Sequence, residues 1–173
     1  MGFAVCLTLA MASCSRAKAT PAPPPFDGRA FIVAAMQLTR SDVDIATLAR
    51  RKGSLPETRA LAADVAREQQ QMLDALAPLA RKRSVPPPAV PDVQLALQQN
   101  LDSVIDLYDQ AYVLGTMQNF DVLRAALDRA AVSNDRELQQ FAQRWIPVVA
   151  SRRAAAATLL NGRLGGSPFH VAP

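Results

Sequence analysis

Four polar positions stand where helical apolar stripes should have none. Asp42, Gln69 with Glu68 beside it, Asn119 and Arg152 each interrupt hydrophobic residues spaced three and four apart. Two chemistries fit such a set. Carboxylates converging from several helices hold hard metal ions through oxygen. A guanidinium among them takes the place of a metal, pairs with the acids and repels a second cation. A buried charge without a partner is very costly, so Arg152 must meet an acid or reach water. Asp42, with Glu68 as a second partner, is the expected pair. Snorkelling of Arg152 and Arg153 to the surface is the alternative, and the sequence leaves both open.

The elements that must position these residues are four long amphipathic helices. The last, over 137–160, reads ELQQFAQRWIPVVASRRAAAATLL, and its stripe is Leu138, Phe141, Trp145, Val148, Arg152, Ala155 and Leu159. Ser133, Asn134 and Asp135 open it, Glu137 completes a capping box with Asn134, Pro147 bends it, and Asn161-Gly162 ends it. The first runs from an Asp27 cap to Lys52, with Phe26 stapled onto Phe31 and Gly53 as its stop; Asp42 interrupts its stripe. The second opens on the box Ser54-Leu55-Pro56-Glu57, runs to Lys82 with Pro78 near its end, and carries Gln69 between Val65 and Met72. A proline-rich stretch over 84–91, SVPPPAVP, is the long connection, and a short extra helix capped by Asp92 follows. Asp102 or Ser103 then caps the third long helix, with Tyr108, Tyr112, Gly115, Asn119, Leu123 and Leu127 on its stripe. No segment alternates like a strand. The expected fold is all-α, an antiparallel up-down-up-down four-helix bundle. At about 1.5 Å per residue the four interruptions then lie roughly 18, 22, 21 and 28 Å from one end, near enough for a single polar layer.

Composition narrows the chemistry. The chain has 173 residues, half of them hydrophobic but only 5% aromatic, and a net charge of +4. Its short basic clusters, Arg50-Arg51-Lys52 and Arg81-Lys82-Arg83, sit where helices end and suit their dipoles. A basic stripe with interleaved aromatics is missing, which argues against nucleic acid as a partner. One histidine, His170 in the C-terminal tail, rules out a Ser-His-Asp set within the helices. The two cysteines, Cys6 and Cys14, precede the helices, so the body has no thiolate chemistry. Tyr108, Tyr112 and Trp145 read as core residues.

The N-terminus gives an address. Residues 3–12 form an apolar run, far below the roughly 20 residues of a spanning helix, and Met11-Ala12-Ser13-Cys14 follows it. This resembles a signal peptide ending in a lipobox, with Met11 where leucine is usual and no Lys or Arg before the run. Cys14 is the expected lipidation site, and Ser15 after it resembles the outer-membrane sorting pattern. The expected organisation is a signal peptide over 1–14, a Pro/Ala tether over 15–26, the bundle over 27–162 and a loose tail over 163–173.

From Phe31 to Leu160 the sequence resembles the bacterial domain-of-unknown-function family four-one-four-two. The matching stretches are Phe31 and Ala35; Asp42-Val43-Asp44-Ile45 before Leu48-Ala49; Ala62 and Val65; Tyr108-Asp109-Gln110-Ala111-Tyr112; and Glu137-Leu138 through Phe141-Ala142 to Ile146-Pro147. The resemblance implies an exported, ferritin-like bundle. It also implies histidines where this chain has Glu68-Gln69, Asn119-Phe120 and Arg152, so no functional site carries across and no metal or cofactor is expected. The favoured expectation is a non-enzymatic interaction or structural module of the envelope, with an envelope protein as partner and a membrane anchor at Cys14. The alternatives are a degenerate ferritin-like metal or redox protein using Asp42, Asp44, Glu68 and Asp109, and a carrier of a small apolar ligand in a void beside Ala35, Ala46, Gly115 and Ala126.

Overall fold

The computed structural model describes residues 25–87 and 107–164. Four long helices make up most of them: α1 (Gly28–Lys52), α2 (Pro56–Lys82), α3 (Tyr108–Ala131) and α4 (Arg136–Leu159). A single π-helical turn, Leu160–Leu164, continues α4. No strand occurs among the described residues. The chain is an all-α four-helix bundle, as its periodicity predicts. The signal peptide, the tether, the short extra helix and the Asp102 or Ser103 cap fall outside the described residues; the described third helix begins at Tyr108 after Leu107.

The order of directions corrects the up-down-up-down expectation. At one end, the backbone N–H groups of Ser54 and Leu55 in the α1–α2 turn donate to Asp109 at the start of α3. At that same end, Arg163 beyond α4 meets Glu57 at the start of α2 at 3.0 Å. At the other end, Arg83 closing α2 pairs with Asp135 and Glu137 at the start of α4. Arg29 at the start of α1 donates to the Ser84 carbonyl there. The helices therefore run up, down, down and up, and the chain leaves α2 at one end and begins α3 at the other. This is the one-crossover connectivity of ferritin-like bundles. Side by side, α1 packs against α2 and α3, and α4 against α3 and α2, so α1 lies diagonal to α4. Four apolar stripes read the same in either order, which is why periodicity alone does not separate them.

The helix ends show which local signals act. Asp27 caps α1, accepting from the N–H groups of Arg29 and Ala30, and the Phe26 and Phe31 rings meet at 5.8 Å. The Ser54–Glu57 box does not form: Leu55 is the N-cap of α2 and offers no side chain. Asp109 supplies the missing acceptor from another helix, with N···O distances of 3.0–3.2 Å. Gly53 ends α1 at φ −56°, so no left-handed residue is needed. It is glycine for closeness: an added Cβ would sit 2.8 Å from the Ala49 carbonyl oxygen and 3.1 Å from Asp109 Oδ1. At α4 the cap is Asp135 rather than Asn134, accepting from Glu137 and Leu138. That leaves the Glu137 side chain to Lys82 and Arg83. The expected stop at Asn161-Gly162 is passed, since the π-helical turn runs to Leu164.

The core joins Ile32, Ala35 and Ala46 of α1, Val65, Met72 and Leu76 of α2, Tyr112, Phe120 and Leu127 of α3, and Leu138, Trp145 and Val149 of α4. The Phe31 ring meets Phe141 edge-on across the core at 6.3 Å between centroids, and Phe141 meets Trp145 at 6.1 Å. Replacing Asp109 with alanine orphans the first N–H groups of α2 and unties α3 from the first turn. Chemical denaturation is expected to show a loss of about 1–3 kcal/mol; an unchanged midpoint would mean that water caps α2 equally well.

Candidate functional site

The buried face of α4 fixes where Arg152 sits. The helix buries Leu138, Phe141, Trp145, Val149 and Ala156, whereas Val148 and Ala155 of the expected stripe are more open. Arg152 therefore lies on the flank towards α2, its side chain 24% exposed. Its guanidinium forks onto Glu68, Nε to Oε2 and Nη2 to Oε1, both at 2.6 Å, and Nη1 donates to Asp64 Oδ2 at 3.0 Å. The bonds to Glu68 raise the Arg152 pKa above its usual value, against a smaller opposing effect of burial. Arg67 holds the other oxygen of Asp64 at 2.6 Å. Neighbouring Arg153 turns the other way and pairs with Asp121 of α3.

Asp42 makes a separate site. It lies in the middle of α1, 4% exposed, and its Oδ1 accepts from Asn119 Nδ2 of α3 at 2.7 Å. Its Oδ2 has no hydrogen-bond partner among the described residues. Burial pushes the Asp42 pKa up to about 7, which the Asn119 bond only partly opposes. Beside it lies a cavity of about 40 Å³, lined also by Ile45, Val65, Tyr112, Gly115 and Thr116. Burial also raises the pKa of the Tyr112 hydroxyl. Thr116 lowers it in part, although no well-formed hydrogen bond reaches the phenol. A Cβ added at Gly115 would meet nothing within 4 Å.

The expected single layer is thus two separate sites. Asp42 and Asn119 join α1 to α3, while Arg152 and Glu68 join α4 to α2. The pairing of Arg152 with Asp42 is replaced by pairing with Glu68 and Asp64, because α1 and α4 are diagonal and the core lies between them. Gln69 is buried on α2 with its Oε1 unpartnered among the described residues, and bonds to none of the other four. Asp64 was missed in the sequence, although it precedes Glu68 by one helical turn and so shares its face. Tyr112 and Gly115 were visible as stripe residues; the polar role of Thr116 carried no signal.

These arrangements limit what the site can hold. Among the described residues no three His, Cys, Asp or Glu side chains converge as a metal site. The void beside Gly115 is far smaller than the roughly 300–1,000 Å³ of ordinary ligand pockets. A broader open groove of about 620 Å³ runs between α2 and the end of α4, floored by Leu61, Ala155 and Leu159.

The family described as Domain of unknown function (DUF4142) matches residues 12–159, and the chain belongs to it. No curated protein and no solved structure matches the chain.

Two outcomes follow from the charges. The neutral form of Asp42 is favoured in the folded state, with its pKa moved from 3.8 to about 7. Its stabilisation is complete below pH 3.8 and is lost as pH rises through 7. Asp42→Asn is expected to match the parent near pH 4 and to exceed its stability by roughly 3 kcal/mol above pH 8; denaturation curves that stay parallel across that range would contradict the burial cost. A double-mutant cycle on Arg152 and Glu68 is expected to return a coupling of about 1–3 kcal/mol, against near zero for a pair that water already separates.

Proposed function

We propose that this member of the family is an exported, lipid-tethered helical bundle of the cell envelope that acts as a non-enzymatic interaction module. The observation that carries the reading is the commitment of the interior acids. Glu68 and Asp64 are spent on Arg152, and one oxygen of Asp42 on Asn119. A ferritin-like metal pair would need those carboxylates free and joined by imidazoles. A protein cation fills the place on the α2 and α4 side, which supports a scaffold role over redox chemistry.

The outer face of α3 supports an interaction role. Leu107, Leu114 and Val122 point outward and are 52%, 40% and 57% exposed. At 100° per residue they share one side of the helix with Ala111, Gln118, Ala125 and, near its end, Arg129, so that side is mostly uncharged. The address rests on Cys14 and the apolar run before it, with an envelope protein as the partner. No described helix is long and apolar enough to cross a membrane.

The test uses the full chain in its own cells. Cys14→Ser is expected to move the protein from the membrane fraction to the soluble one. Photo-crosslinkers at 114 and 122 are expected to trap one and the same envelope protein, and Val122→Asp to abolish the capture. Retention of Cys14→Ser in the membrane would defeat the tether, and stoichiometric iron, manganese or zinc surviving chelation would defeat the non-enzymatic reading.

A further inference from the structure

We infer that the cavity beside Asp42 is a binding site for a monovalent alkali cation, sodium or potassium, held inside the bundle between α1 and α3. Three independent features of the site lead there. The first is charge. Asp42 is 4% exposed, and the one group that bonds it among the described residues, the Asn119 amide, is neutral. The Arg152 guanidinium is spent on Glu68 and Asp64 on the other side of the core. A water molecule would complete the hydrogen bonds of the carboxylate but not its charge. Above pH 7, where Asp42 is ionised, a single positive ion both coordinates the open oxygen and balances the charge.

The second feature is the ligand set. The ligands the cavity residues offer are oxygens: the Asp42 carboxylate, the Thr116 and Tyr112 hydroxyls and the Asn119 carbonyl, whose Nδ2 is already given to Asp42. Among the described residues Asp42 Oδ2 has no hydrogen-bond partner, and the Tyr112 hydroxyl has none of good geometry. Oxygen ligands with no imidazole or thiolate suit hard cations and not transition metals. One carboxylate balances one unit of charge, whereas calcium sites generally draw on several acids and six to eight oxygens.

The third feature is space and access. A volume of about 40 Å³ exceeds what one water needs and falls far below any amine ligand of metabolic size. Gly115 lines the cavity, and the position its Cβ would occupy is open for 4 Å around. In the middle of a helix glycine costs stability relative to alanine. Here the space its side chain would take stays open beside the cavity.

The experiment is thermal unfolding of the full chain at pH 8 and fixed ionic strength, in sodium, potassium or tetramethylammonium chloride. Tetramethylammonium is too large for the cavity and serves as the reference. Sodium or potassium is expected to raise the Tm with the logarithm of its concentration once above its dissociation constant, by about 4 °C at ten times that constant. Asp42→Asn keeps an acceptor for Asn119 and is expected to fold and to lose the rise. Thr116→Val keeps the charge and the shape, and is expected to weaken the apparent affinity at least threefold. Equal Tm values in all three salts would overturn the site, as would a rise that survives in Asp42→Asn. A rise lost in Asp42→Asn but undiminished in Thr116→Val would overturn the hydroxyl as a ligand and with it the site as described.

Discussion

The fork of Arg152 onto Glu68, with Asp64 as third point of contact, is the interaction on which the remaining interior chemistry depends. A planar guanidinium matched to a carboxylate in two parallel bonds is among the strongest polar contacts a protein makes. By taking Asp64 and Glu68 of α2, it removes them from any other use. The α2–α4 side of the bundle is then electrically settled. The α1–α3 side is not, because Asp42 faces only an amide there. The shifted protonation of Asp42 comes from its burial beside a neutral amide.

The division in turn rests on how the chain is wound. Had α3 followed α2 by a short turn, α4 would have lain next to α1, and Arg152 would have been within reach of Asp42. The crossover places them on a diagonal with the core between. Asp109 is the clasp of that arrangement. It satisfies the start of α2 from the start of α3, so two helices with parallel directions share one cap. Gly53 permits the approach by having no side chain to intrude.

Much of this was legible in the sequence, and the failures are instructive. Helix number, extent and the Asp27 cap follow from spacing and from a short polar side chain before an apolar run, both local properties. The Ser54 box failed because a better acceptor arrives from another helix, which no local pattern announces. The stripe on α4 was read as Val148, Arg152 and Ala155, one residue out of phase with the buried Val149 and Ala156. With 3.6 residues per turn and alanine on both sides, either face scores alike. That slip put Arg152 in the centre of the interior when it belongs on the flank. Asp42 is buried, and its partner depends on helix order, which hydrophobic pattern does not encode. The DUF4142 resemblance rested on order and spacing across the chain and held over the same helices.

The up-down-down-up winding also has a mechanical consequence. The first described residue of α1 and the last of α4 sit at opposite poles of the bundle, about 36 Å apart for a helix of this length. Tension applied between residues near 28 and residues near 164 runs along the helix axes. Such a load shears whole interfaces at once, where neighbouring ends would let the helices peel apart one turn at a time. The bundle is therefore built to transmit a pull rather than to yield to it.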